Sequence, residues 1–209
     1  GLLYAGTDDG KLWISRNDGG SWEDLTTRVT LVPAGTYVSR IEPSSHDSAT
    51  FYVTFDNHRN GDFTPYVLMT EDFGRNFRSL AGGLPRGGIN FVHVIREDPV
   101  NRNLLFAGTD IGAWVSTDRG QTWQRFMTNM PTVPVHDLKI HPRDKELIAG
   151  THGRSIWIVD IAPLEELTDT IVAAGAYLFK PKVAWRLNQT PDDQMGGGAE
   201  KGQMQFSTN

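Results

Sequence analysis

The chain has 209 residues, with 22 glycines, six tryptophans, no cysteine, and 25 acidic against 20 basic residues for a formal charge of −5. The lack of cysteine excludes disulfides and thiolate metal sites, and a mild acidic balance without any basic run argues against a nucleic-acid partner. No stretch approaches the roughly 18 apolar residues of a membrane-spanning helix, and no signal peptide stands at Gly1, where the chain reads as starting inside a repeat.

In chain order, an apolar run LLYAGTD (Leu2 to Asp8) leads through Asp9 and Gly10 to the turn phrase SRNDGGSW (Ser15 to Trp22). Val38 to Pro43 and FYVTFD (Phe51 to Asp56) open a second unit, which carries the insertion Asp56 to Asp62 and the phrase TEDFGRNF (Thr70 to Phe77). A third unit runs through Val94 to Pro99, LLFAGTD (Leu104 to Asp110) and STDRGQTW (Ser116 to Trp123). The fourth has Leu138 to Pro142 and LIAGTHGR (Leu147 to Arg154) but no turn phrase after Trp157. Asp72 to Asp118 is 46 residues and Gly108 to Gly150 is 42.

Each unit reads as four short strands, A to D, rich in β-branched and aromatic residues and punctuated by Gly, Asp, Asn and Pro. In the third unit they fall at 92–97, 104–108, 112–117 and 122–126. Four strands per repeat of this length predicts an all-β fold, a partial β-propeller of four-stranded antiparallel blades, about three and a half of them. Residues 1–162 form the propeller part and 163–188 a connector. Residues 189–209, with the consecutive glycines Gly196 to Gly198 and few apolar residues, read as a flexible linker towards a further domain. Within the connector, Pro163 to Asp169 predicts a short helix and Ala176 to Lys180 an isolated strand.

The turn phrase has a local logic. Its Asp accepts hydrogen bonds from nearby backbone N–H groups, its Gly takes positive φ, and its aromatic residue anchors strand D. On this reading Asp18, Gly20 and Trp22, then Asp72, Gly74 and Phe77, then Asp118, Gly120 and Trp123 are structural, each aromatic stabilising by about 1.5–3 kcal/mol if fully covered.

These phrases resemble Asp-box (BNR) repeats over residues 1 to about 162, and Tyr66 to Gly74 with Gly150 to Trp157 look most like the bacterial sortilin-like or glycosyl-hydrolase-like BNR proteins. That resemblance implies a secreted or periplasmic protein with further blades on the N-terminal side. It mixes enzymes with binding modules, so it implies fold far more than function.

Because strands alternate in direction, turns A–B and C–D share one rim and B–C and D–A the other. The Asp phrases are C–D turns, so a ligand site is sought on the opposite face. There the B–C turns offer Asp8, Asp56, Asp62 and Asp110 as candidate catalytic carboxylates, with His58, Arg59, His152 and Arg154 as ligand-binding candidates. The D–A side adds Arg28 and Arg86, and the starts of two A strands add His93 and His136, with Tyr37 taken as their counterpart. Converging carboxylates, imidazoles and guanidinia suit a polar ligand. The structural alternatives are a plain hairpin at Asp9-Gly10, histidines satisfied inside the propeller, and a latch at His152 to Arg154.

The leading functional reading is a non-catalytic propeller binding a protein, peptide or carbohydrate. The alternative is a glycoside hydrolase, which needs two carboxyl groups flanking the scissile bond, and no pair is singled out by the sequence. A sialidase would require an arginine cluster and a Tyr-Glu pair, and no such motif surrounds the arginines. Six singly placed histidines give no zinc spacing, so no metal centre is expected. Ca²⁺ at Asp56 to Asp62 is the remaining alternative, and no other cofactor is implied.

Overall fold

The computed structural model describes residues 1–183, so the linker expected at 189–209 and the end of the connector lie outside the described residues. Contacts divide the chain into a compact unit, Gly1–Tyr177, which holds every described strand and helix, and a second unit from Leu178 onward.

Among the described residues, fourteen strands form four antiparallel sheets. The first is β1 (Leu3–Gly6), β2 (Leu12–Ser15) and β3 (Glu23–Asp24). The second is β4 (Tyr37–Pro43), β5 (Phe51–Asp56), β6 (Tyr66–Thr70) and β7 (Arg78–Ser79). The third is β8 (Val92–Glu97), β9 (Leu105–Thr109), β10 (Gly112–Ser116) and β11 (Gln124–Arg125). The fourth is β12 (Val135–His141), β13 (Glu146–Thr151) and β14 (Ile156–Asp160). Strands pair strictly with their sequence neighbours, as meandering propeller blades do. The first sheet holds strands B to D of the repeat and the fourth holds A to C.

The core lies between the sheets, and period-two alternation decides which gap each side chain fills. Phe51, Val53 and Phe55 of β5 pack with Leu12, Ile14 and Leu25 of the first sheet. Tyr52, between them, faces the other way and joins Leu80, Ile95, Leu105, Ala107 and Trp123. Phe106 likewise turns from its neighbours Leu105 and Ala107 to meet Val135, Leu138 and Leu147. Strands β5, β9 and β10 are therefore buried on both faces and read as nearly continuous apolar runs. The outward face of the fourth sheet stays open, with Ile156 68% exposed.

The recurrent turn uses one geometry three times. Thr70 Oγ1 donates to Asp72 Oδ1 at 2.8 Å and accepts from Gly74 N at 2.9 Å, while Asp72 Oδ1 accepts from Asn76 N at 2.9 Å. Ser116, Asp118, Gly120 and Thr122 repeat these bonds at 2.7, 2.8 and 2.9 Å. In the first sheet the acceptor is Asn17, not Asp18: Ser21 N donates to Asn17 Oδ1 at 2.8 Å and Gly19 N to Ser15 Oγ at 2.8 Å. The assignment of Asp18 and Gly20 is thus corrected to Asn17 and Gly19. Asp18 occupies the left-handed position shared with Phe73 and Arg119, at φ of 56°, 59° and 59°. An amide oxygen accepts the same N–H as a carboxylate, so the turn keeps its shape without the charge.

The aromatic anchors differ in cover. Trp123 is buried and donates from Nε1 to the Leu80 carbonyl of the preceding sheet at 2.8 Å, and Phe77 meets Phe51 edge-on at 5.9 Å. Phe77 is half-buried and Trp22 is 43% exposed, so of the three expected anchors Trp123 alone is buried.

After β14 the chain forms α1 (Ala162–Glu165) and α2 (Asp169–Ala173), two short helices where one was expected. Ala176 to Lys180 is not a strand. Asn101 Nδ2 donates to the Leu167 carbonyl at 3.2 Å and Lys145 pairs with Glu165 at 2.7 Å, tying this connector to the third and fourth sheets. The cleft of about 440 Å³ beside it, lined by His46, Asn101 and Thr117, lies on the rim of the A–B and C–D turns.

Candidate functional site

On the opposite rim the inner strands share a device. Pairing in each of β4, β8 and β12 skips one residue near the start: between Val38 and Arg40, between Val92 and Val94, and between Val135 and Asp137. The skipped residues are Ser39, His93 and His136. Such bulges re-aim a side chain out of the alternating pattern. They explain why two histidines in apolar strands point along the rim instead of into the gap between sheets. The register also corrects Tyr37, whose counterparts are Phe91 and Pro134, while Ser39 matches the histidines.

Backbone bonds then fix the B–C turns against these strands. Asp110 N donates to the Phe91 carbonyl at 3.2 Å and His152 N to the Pro134 carbonyl at 3.0 Å. By register Asp56, Asp110 and His152 are one position in three successive sheets, the residue following the one paired to the bulge-flanking Val38, Val92 and Val135. In the repeat Asp8 is the same position again.

The result is a line of rings across three sheets. His58 stacks on Phe91 with centroids 4.6 Å apart, Phe91 meets His93 at 4.8 Å, His93 meets His136 at 4.4 Å, and His136 meets His152 at 5.0 Å. Phe63 flanks Phe91 at 6.1 Å. Four of the sequence-predicted ligand residues, His58, His93, His136 and His152, are therefore contiguous. Phe91 and Phe63 were missed, although Phe91 stands directly before the alternating Val92-His93-Val94.

Carboxylates border the line. Asp56, buried, accepts from both N and Nδ1 of His58, at 3.0 and 2.6 Å. Asp110 Oδ1 lies 3.4 Å from His93 Nε2. Burial pushes the His93 imidazole below its ordinary value, the charge of neighbouring His136 acts in the same sense, and the Asp110 carboxylate only partly offsets them. His93, Asp110 and His136 each bring one donor atom within 4.8 Å of the other two, a grouping of metal-ligating type.

The other predicted residues divide. Asp62 accepts from Asn57 Nδ2, Thr64 N and Tyr66 OH at 2.9, 3.0 and 2.7 Å. Burial pushes its carboxyl up, and these hydrogen bonds together more than reverse that, holding it at about 2. Asp62 thus braces the insertion, whose middle is a 3-10 turn at His58–Asn60. Arg59 sits over the Tyr37 ring at 5.9 Å. Arg154 is exposed, and its carbonyl accepts from Trp157 Nε1 at 2.8 Å. Arg28 is taken up by Glu23 at 2.7 Å, away from the ring line. Asp8 and Asp9 form a hairpin turn in which Thr7 hydrogen-bonds Asp9 and Gly10 N donates to the Thr7 carbonyl at 3.3 Å.

No family model matches the chain, and no curated protein matches it by sequence. Solved structures match its fold. The GH74 xyloglucanase from Xanthomonas campestris superposes with a TM-score of 0.56 at 18% identity, over 75% of this chain and 25% of the enzyme. YCF48 bound to D1 peptide matches with a TM-score of 0.53 at 17% identity, over 75% of this chain and 47% of that one. The extracellular domain of a putative one component system from B. thetaiotaomicron matches with 0.56 at 14% identity, over 81% of this chain and 20% of that one. The chain therefore spans between a fifth and a half of the length of these proteins, and the likeness establishes the β-propeller fold. Among the described residues no helix is long and apolar enough to cross a membrane.

Proposed function

We propose that this chain is part of a propeller of the Asp-box (BNR) type, secreted or periplasmic, that binds a peptide or glycan along the ring line without catalysis. The observation that supports this reading is the contiguous row His58, Phe91, His93, His136 and His152. The exposed imidazoles of His136 and His152 and the part-exposed imidazole of His58 give a ligand flat stacking area and ring nitrogens for directional hydrogen bonds, with buried Phe91 and largely buried His93 packed behind them, a combination suited to sugars and extended peptides. The fold likeness to an extracellular domain and to a peptide-bound propeller is consistent with that role.

Two of the four candidate carboxylates, Asp62 and Asp56, are engaged in ways that do not suit the acid of a glycoside hydrolase. A general acid must hold its proton near neutral pH. Asp62 is instead kept ionised by three donors, and Asp56 is engaged by His58. The test is a glycan and peptide binding screen on the full-length protein, paired with an assay for released reducing sugar. Binding that is lost in a variant of the exposed ring, His152→Ala, without sugar release, is the expected result. Turnover abolished by Asp110→Asn would replace the binding module with an enzyme, and no binding to any glycan or peptide would remove the reading.

A further inference from the structure

The turns and bulges that build the ring line bring two imidazoles and a carboxylate from two sheets to one point. We propose that His93, Asp110 and His136 bind a divalent transition-metal ion of the zinc class. Nitrogen-rich sets with one carboxylate suit such ions, whereas Ca²⁺ and Mg²⁺ prefer all-oxygen surroundings. Metal–ligand distances of about 2.0–2.1 Å in a tetrahedron place donor atoms about 3.3 Å apart. The His93 Nε2 to Asp110 Oδ1 separation of 3.4 Å already has that value, and all three donors lie within 4.8 Å.

The remaining closure falls to His136, which is exposed, while His93 and Asp110 are partly buried, the one at the bulge of β8 and the other in its B–C turn. The turn bond from Asp110 N to the Phe91 carbonyl and the bulge at His93 are properties of the backbone, so two ligands are held in place before any ion arrives. His152 extends the row beyond His136. Three protein donors leave a fourth position for an oxygen of a bound molecule, the arrangement of an open site. Sequence spacing conceals the set: the ligands fall in strand A of one sheet, its B–C turn, and strand A of the next, 17 and 26 residues apart.

The experiment uses the full-length protein, purified without a histidine tag and stripped with EDTA, titrated with Zn²⁺ by calorimetry and with Co²⁺ by visible absorption. One equivalent bound, with Co²⁺ bands of a low-coordinate nitrogen and oxygen site, is expected. Both signals should vanish in His93→Ala and His136→Ala and persist in His141→Ala, at the far end of β12. Asp110→Asn keeps the side-chain shape and decides the matter if a histidine variant fails to fold. No uptake of either ion, or uptake unchanged by Asp110→Asn and by a folded His93→Ala, overturns the proposal. Because no peptide or glycan is present, this outcome is independent of the ligand reading.

Discussion

Trp22 and Trp123 occupy the same place in the recurrent turn but differ in cover, so replacing each by alanine tests the packing argument within one molecule. Trp22 is 43% exposed and Trp123 7%. A tryptophan buries about 150–250 Å², so roughly a third more cover at about 25 cal/mol per Å² is worth about 1.4–2.3 kcal/mol. Trp123→Ala also removes the Nε1 donor from the buried Leu80 carbonyl, held at 2.8 Å. Stranding that acceptor adds about 1–3 kcal/mol. Trp123→Ala should therefore cost about 2–5 kcal/mol more than Trp22→Ala. Urea denaturation followed by far-UV circular dichroism measures both. Equal costs would show that cover by the preceding sheet is not what makes this aromatic an anchor.

Three further outcomes follow from the turns and strands. Asn17→Ala should destabilise by about 1 kcal/mol through loss of the bonded acceptor, while Asp18→Asn should be close to neutral, as thermal melts of the two variants will show. Burial raises the Asp72 carboxyl, but bonds from Asn76 and Thr70 outweigh it and hold the group at about 2, below its ordinary 3.8. Its contribution is accordingly present above pH 3.8 and lost as pH falls through about 2, so Asp72→Asn should flatten the loss of stability in an acid titration across that window. Gly112→Ala should be destabilising by chemical denaturation, because a φ of 134° strains any residue with a Cβ, which would in addition have to displace the flexible Met127 side chain. A variant as stable as the parent would refute that backbone conformation at Gly112.

Architecture was legible because repetition is a global signal carried by many residues. The strands predicted in the third unit at 92–97, 104–108, 112–117 and 122–126 match β8 to β10 within a residue or two, and β11 lies inside the last run. The alternation of Phe51, Val53 and Phe55 against Tyr52 likewise foretells two packing faces. Single-residue features were harder to read. Aligning SRNDGGSW on its aspartate misplaces the turn, since only the geometry reveals that Asn17 takes the acceptor role.

The candidate site was half visible. Histidines at the starts of two A strands put His93 and His136 on the rim that carries the ring line, and repeat alignment put Asp8, Asp110 and His152 at one position. What the sequence hid is the bulge, because a skipped pairing is a relation between two strands and leaves no mark in either alone. For the same reason Tyr37 was matched to the histidines where Ser39 belongs. Phe91 went unnoticed as one more apolar residue ahead of an apolar strand. Ala176 to Lys180 carries strand-forming residues but is not a strand, a case in which local propensity does not decide the outcome.

The central claim is that ligands engage the ring line and not the rim of recurrent turns. A crystal structure of the full-length protein with a peptide or glycan found in the binding screen tests it most directly. The account predicts ligand density across the accessible rings of His58, His136 and His152. Density against Asn17, Asp72 or Asp118, with the ring line bare, would contradict it.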